Sequence, residues 1–282
     1  MQTLLHVRDK SENRQLLCSG LAVVDEDKIV VVTKTGEILL FKNTGCLAFL
    51  AEFLETFEDV TPLSTKEIAA SCAFCIKIFE VQDSEIKELE EKCIDFQYSG
   101  ETTVHALHFV NNIFLITCNI QTCLLYTPFI RMIDQRGRIL KQFVIPTIHS
   151  PQHISSTADG KIIFITDQAL KKVMAIDDSG TIKWEVATDS VPHHVSPYGE
   201  KSIVVSCERE LELKRFSLSG TPLSQVDTRL GPNSAPLIVS YFSKNDTLFF
   251  CSEMFNHCDT EFVYSVKPKK SRLQKIISMF KK

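Results

Sequence analysis

Residues 151–180 read PQHISSTADGKIIFITDQALKKVMAIDDSG. Within them a short apolar segment at His153–Ser156 runs into a polar turn, Ala158–Lys161, and then into Ile162-Ile163-Phe164-Ile165. That run has the β-branched and aromatic composition of a buried strand. A second turn leads to an alternating segment beginning at Lys172-Val173, and Asp177–Gly180 closes it with a glycine, which adopts a hairpin turn at little cost. Thr181–Ala187 then supplies a fourth strand. Four short strands joined by tight turns in about 44 residues make one antiparallel unit of a β-propeller.

The same layout recurs on both sides. First strands begin at Gly20-Leu21-Ala22, Asp59-Val60-Thr61, His105-Ala106-Leu107, His153-Ile154-Ser155, His194-Val195-Ser196 and Ile238-Val239-Ser240. The starts near 20, 59, 105, 153, 194 and 238 are 39 to 48 residues apart. Each is followed by a polar turn and an apolar run such as Ile29–Val32, Ile113–Ile116 or Ile203–Val205. Later turns carry Gly45, Gly137, Gly180 and Gly220. Outer strands are expected at Cys46–Phe53, Lys92–Gln97, Ile139–Ile145, Thr181–Ala187 and Leu223–Thr228. The sixth unit has none of its own after Phe262–Val266. Gln2–Asp9 is therefore expected to supply its outer strand and spare it an unpaired edge. The expectation is an all-β, six-bladed β-propeller over 1–268, closed by its N-terminal strand, with a short basic amphipathic tail at 269–282.

Composition fits this reading. Of 282 residues 44% are hydrophobic and 23% charged, which excludes a disordered or fibrous chain. A net charge of −4 argues against a dedicated duplex-nucleic-acid binder. No apolar run approaches the roughly 20 residues of a membrane span, and charged residues at Arg8–Lys10 interrupt any signal-peptide core. Ten irregularly spaced cysteines in a long chain read as free thiols of a cytoplasmic protein. A monomer is expected.

Among propeller families, the Trp-Asp signature of WD40 repeats is missing: the single Trp184 is followed by Glu185. Residues 151–180 instead resemble the NHL-type pattern of Pro-x-Gly-Ile, Val-Thr-Asp, a basic residue with Ile-x-Val, then Asp-x-x-Gly. Asp167 and Lys172-Val173 occupy its positions. Residues 192–220 are similar, with Cys207 where the Asp would stand. The chain looks like the C-terminal propeller of tripartite-motif proteins, particularly divergent invertebrate members. That resemblance implies a propeller recruiting protein substrates or RNA. This sequence has no Cys/His framework of a RING or B-box, so no ligase activity comes with it.

Candidate sites follow from the topology. Loops entering the inner strands open on the same face as those joining second to third strands, because antiparallel strands reverse at every turn. The first residues of the inner strands, among them Asp59, His105, His153 and His194, should ring the mouth of the central channel. Three histidines at one register on consecutive blades suit a tripodal metal site, whereas a hydrated polar mouth needs no metal. No cofactor is assigned. Two apolar loops on the same face, 119–129 and 253–259, offer Leu124, Leu125, Tyr126, Phe129, Met254, Phe255 and His257 to a protein partner.

Cys72-x-x-Cys75 has a spacing known from zinc and redox sites, but Cys75 begins an alternating strand. Basic residues near the upper face, including Lys34, Lys171, Lys172, Arg209 and Arg229, are interleaved with acidic ones, which weakens an RNA reading. Glu85–Glu91 reads as a solvated bulge. Leu273, Ile276, Ile277 and Phe280 follow helical spacing in the basic tail, enough for weak contact with a membrane surface. Gly-x-Ser-x-Gly, HExxH and phosphate-loop motifs are absent. The expected function is thus a non-enzymatic protein-interaction module. RNA binding is the alternative, and a channel-bound metal or hydrolase site using His105, His153 and His194 a second one.

Overall fold

Each apolar run becomes a strand buried on both faces, and its alternate residues go to different neighbours. The computed structural model describes residues 2–6, 17–42, 47–96, 102–121, 126–208, 210–228, 234–254 and 260–266. Within them the strands fall into six sheets. Strand β1 (Gln2–His6) is followed by a sheet of β2 (Cys18–Asp25), β3 (Lys28–Thr33), β4 (Glu37–Lys42) and β5 (Leu47–Glu52). The second contains β6 (Asp59–Pro62), β7 (Glu67–Ser71), β8 (Cys75–Val81), β9 (Ile86–Glu88) and β10 (Ile94–Asp95). The third is β11 (Thr102–Val110), β12 (Ile113–Gln121), β13 (Tyr126–Asp134) and β14 (Ile139–Phe143). The fourth is β15 (Pro151–Ser156), β16 (Ile162–Asp167), β17 (Lys172–Asp177) and β18 (Ile182–Ala187). The fifth is β19 (Pro192–Tyr198), β20 (Ser202–Cys207), β21 (Glu212–Ser217) and β22 (Val226–Asp227). The last is β23 (Ser234–Phe242), β24 (Thr247–Met254) and β25 (Thr260–Val266), with β1 on its outer edge, Gln2 opposite Ser265 and His6 opposite Phe262.

Inner strands pack in sequence, β2 on β6, then β11, β15, β19 and β23, and β23 returns to β2. The fold is an all-β propeller. Apolar clusters fill the spaces between successive sheets. Val30 and Val32 face Val60, Ile68 and Phe79 on one side, while Val31 faces Ile238 and Phe249 on the other. Likewise Ile163 and Ile165 join Leu115 and Ile130, but Phe164 joins Val195 and Val205. This division explains why the second strands are continuously apolar: β20 is buried at every residue, whereas outer strands such as β18 are mostly exposed or half-buried. Two further contacts tie neighbours together. Trp184 Nε1 donates to the Leu218 carbonyl at 2.8 Å, and its indole covers Gly220, whose φ of +83° suits glycine.

Two sequence expectations are corrected here. Residues 119–129 are not a loop throughout: β12 and β13 continue pairing to Gln121 and Tyr126, with Cys118 opposite Phe129. Phe129 is consequently a strand residue, 2% exposed, packed among Cys118, Phe114 and Ile133. Burial removes it from any contact surface. The acidic stretch 85–91 is not a plain solvated bulge either. Ile86 is buried and anchors β9 as an extra strand beside β8.

The tail at 269–282 lies outside the described residues, as do Leu124, Leu125, Phe255 and His257. Tyr126 and Met254 are placed only as terminal residues of β13 and β24. Among the described residues no helix is long and apolar enough to cross a membrane.

Candidate functional site

Near its start, nearly every inner strand contains a β-bulge, one extra residue that bends the strand. Register shifts fall between Cys18 and Gly20, Val104 and Ala106, Pro151 and His153, Pro192 and His194, and Pro236 and Ile238. The extra residues are Ser19, His105, Gln152, His193 and Leu237. In their second-strand pairing, Gly20, Asp59, Ala106, His153, His194 and Ile238 are equivalent, opposite Val32, Ser71, Thr117, Thr166, Ser206 and Cys251. The expected triad of His105, His153 and His194 at one register is therefore corrected. His105 belongs with Gln152 and His193, one residue earlier, and Ala106 stands where the next two sheets carry histidine.

Hydroxyl groups on the second strands stabilise this geometry. Thr117, Thr166 and Ser206 accept from the N–H groups of Ala106, His153 and His194 at 3.0 to 3.2 Å. Thr166 and Ser206 then donate to the carbonyls of His193 and Leu237 in the next sheet, at 3.0 and 2.6 Å. Backbone polarity exposed by the bulge is thereby satisfied between sheets. Asp167 of the NHL-like pattern has a neighbouring task. Its carboxylate accepts from His149, Ser150 and Leu170 N–H groups and shapes the loop leading into β15.

Ala106 separates Asp59 from His153 around the ring, and its single methyl leaves room for the two to meet. Asp59 Oδ2 lies 3.4 Å from His153 Nε2 and accepts from Leu107 N–H at 3.0 Å, while Oδ1 accepts from Val60 N–H at 2.8 Å. The His153 and His194 rings stack with centroids 3.2 Å apart and planes 30° from parallel. His153 Nδ1 receives Val195 N–H at 3.3 Å, whereas neither ring nitrogen of His194 makes a hydrogen bond of normal geometry. Ligand atoms of Asp59, His153 and His194 all lie within 4.8 Å of one another. His105 stands apart, its Nε2 against the Asn119 side chain and 3.4 Å from Thr103 Oγ1.

Burial decides the charges. It pushes the Asp59 carboxyl up to about 8, partly opposed by the Leu107 and Val60 N–H groups. The same desolvation holds His153 well below the usual histidine range and His194 down at about 3. His108 is pushed down to about 4, and its charge would oppose protonation of both. Burial thus favours the neutral form of Asp59, His153 and His194.

These directions oppose one another in acid, because lowered histidines favour the fold as pH rises towards 6.5 and a raised carboxyl disfavours it above 3.8. Only from about pH 7.5 to 8, a unit above the unfolded histidine value, are the histidines almost wholly neutral in both states. The folded chain then holds the extra Asp59 proton, and stability falls with pH by up to about 1.4 kcal/mol per unit. Asp59→Asn is expected to flatten that slope in EDTA-treated protein. Urea unfolding across this window tests it, and an unchanged slope in the variant refutes the assignment.

Above the cluster is a cavity of about 440 Å³ lined by Lys34, Glu58, His105, Gln152, Gln168 and His193, with Asp59, His153 and His194 also in its wall. The four predicted mouth residues do share one cavity, but only three converge. His193, Gln152 and His108 were missed. The adjacent polar pairs Gln152-His153 and His193-His194 are the trace such a bulge leaves in sequence, since an extra residue turns both side chains towards the channel. On the second sheet the Cys72 thiol is raised and Cys75 lowered by the hydrogen bond between them. Both are free thiols in a tight β7–β8 hairpin.

No protein-family model matches the chain, and no curated protein matches it. Solved structures do. The β-propeller domain of Cps50 (Swd1) from Myceliophteria thermophila aligns at TM-score 0.62 and 11% identity, over 89% of this chain and 83% of that one. Raptor from Chaetomium thermophilum aligns at TM-score 0.63 and 11% identity over 95% of this chain, but only 29% of its own. A luciferin-regenerating enzyme aligns at TM-score 0.70 and 12% identity, over 93% and 94% of the two chains. At these identities the likeness concerns the propeller fold.

Proposed function

We propose that this chain is a non-enzymatic protein-interaction scaffold, a six-bladed NHL-like propeller that displays rigid loops on its upper face to a protein partner. The observation that carries this reading is an apolar cleft beside the β12–β13 hairpin. It holds about 290 Å³ and is lined by Thr127, Pro128, Val144, Ile145, Pro146, Ile148 and His149. Val144 is 59% exposed at its edge, and Ile139 and Leu140 on the adjoining outer strand are about half exposed. Exposed apolar side chains around a cleft beside paired strands are features of a recognition surface. This cleft, on the face of the apolar loops in the sequence reading, is taken as the contact, with Val144 in place of the buried Phe129. Likeness to Cps50 and Raptor supports a scaffold only through the fold. A cytoplasmic, monomeric protein belongs to the same reading.

RNA binding is less well supported, since phosphate recognition needs unpaired cations. Lys172, counted among the basic candidates, is buried and pairs with Glu185 at 3.1 Å. Lys214 pairs with Asp189 and Glu210 at 2.9 and 3.2 Å. Arg209 and Arg229 lie outside the described residues.

Affinity capture from native cells, with and without RNase, tests the proposal. Protein partners should survive RNase, and Val144→Asp should reduce their recovery by about tenfold, the effect expected of a charge forced into an apolar contact, without moving the melting temperature. Recovery that depends on RNA, or that ignores Val144→Asp, overturns it.

A further inference from the structure

We propose that Asp59, His153 and His194 form a site for a divalent transition-metal ion of the zinc type at the wall of the channel cavity. This inference is independent of the interaction reading, and neither fails with the other. It replaces the sequence-derived set, because His105 is one residue out of register and held by Asn119.

Three observations carry it. First, the donors are close: one ligand atom from each residue lies within 4.8 Å of the others, a separation that small side-chain adjustments reduce to the span of a single ion. Second, they are buried, at 2%, 8% and 7% exposure for Asp59, His153 and His194. At neither ring nitrogen of His194 does a partner meet full hydrogen-bond geometry, although the ring is more than nine-tenths buried and the Val239 N–H lies within its reach. Buried polar atoms without partners are uncommon and mark a missing ligand or ion. Third, backbone geometry fixes the donors. Bulges set His153 and His194 at equivalent positions of adjacent strands, their rings are stacked, and two N–H groups hold the Asp59 carboxyl.

The donor set selects the ion. Two imidazoles and one carboxylate suit zinc, cobalt or nickel, whereas calcium and magnesium demand mostly oxygen ligands. Three protein ligands leave a position for water or an anion from the adjoining cavity. Glu58 adds negative charge to that cavity and Lys34 opposes it. The Val195 N–H now occupying His153 Nδ1 at 3.3 Å is a long contact. The other ring nitrogen, Nε2, faces Asp59 Oδ2 at 3.4 Å and is the one that serves the ion.

The full chain, stripped with EDTA and dialysed, should bind one Zn²⁺ ion in calorimetry. With Co²⁺ it should develop visible d–d absorption without thiolate-to-metal charge transfer. His194→Gln should weaken binding at least about tenfold while keeping the wild-type circular dichroism, and His105→Gln should bind as the wild type does. If His194→Gln fails to fold, Asp59→Asn replaces it; its single amide oxygen keeps one of the two N–H contacts that the carboxylate accepts from Val60 and Leu107. Binding of less than about half an ion per chain, equal affinity in the variant, or a thiolate signal placing the ion on cysteine would each overturn the proposal.

Discussion

Gly20→Val is expected to lower the thermal midpoint of unfolding by about 10 °C, through a loss on the order of 3 kcal/mol. A Cβ at Gly20 would stand 2.7 Å from Val60 N and 3.0 Å from the Asp59 backbone. The obstructing atoms are main chain, and the clash involves Cβ itself, so no rotamer relieves it. Relief requires the first two sheets to separate along the channel, where β2 packs on β6. Alanine should show much of the effect. Gly199 is the control: its φ is +65° but nothing lies within 4 Å of its Cβ direction, so Gly199→Ala should cost only about 1–2 kcal/mol of left-handed strain. Melting curves for the three variants decide the matter. Midpoints for Gly20→Ala and Gly20→Val within about 2 °C of wild type would show that the sheets tolerate separation.

Phe79→Ala is expected to cost about 3–5 kcal/mol. Phe79 is fully buried between the first two sheets. Its ring meets Phe53 and Phe57 edge-on, with centroids 5.3 and 6.1 Å away. Those two rings come from the segment that joins the sheets, so truncation opens a cavity and also removes edge-to-face contacts. Collapse cannot fill the gap easily, because Ile38, Leu40 and Ile68 around it belong to strands paired on both sides. Phe74, 45% exposed in the neighbouring hairpin, provides the comparison, and Phe74→Ala should change stability by less than about 0.5 kcal/mol. Similar urea midpoints for the two variants would contradict this account of the core.

Both predictions concern contacts between sheets, and these contacts separate what could be read locally from what could not. Turn glycines, β-branched runs and repeat length belong to single hairpins, and they carry their structure locally. The inner strand expected at Asp59 begins at Asp59, and the outer strand expected at Ile139–Ile145 is observed at Ile139–Phe143. Gln2–His6 could be assigned to the last sheet because an outer strand was missing there, and β1 does pair with β25.

The site was legible only in outline. His153 and His194 were placed correctly at equivalent positions, but His105 is itself the extra residue of its bulge, equivalent to Gln152 and His193. Because a bulge inserts one extra residue, a one-residue slip decides which side chain is the bulge and which follows it. In sequence such a slip looks like ordinary variation in spacing. Phe129 shows the same limit from another direction. Leu, Tyr and Phe in a long connection suggest a surface loop, yet the strands continued pairing and the ring turned inward against Phe114 and Ile133.

From sequence alone came the all-β repeat and the start of the inner strand at Asp59, since both follow from short-range periodicity and turn chemistry. Tertiary structure alone decided that Asp59 reaches His153 past Ala106 and that His194 stacks on His153. Those contacts join residues 94 and 41 positions apart. They depend on bulge geometry and on the angle between sheets, and both are set by packing around the ring.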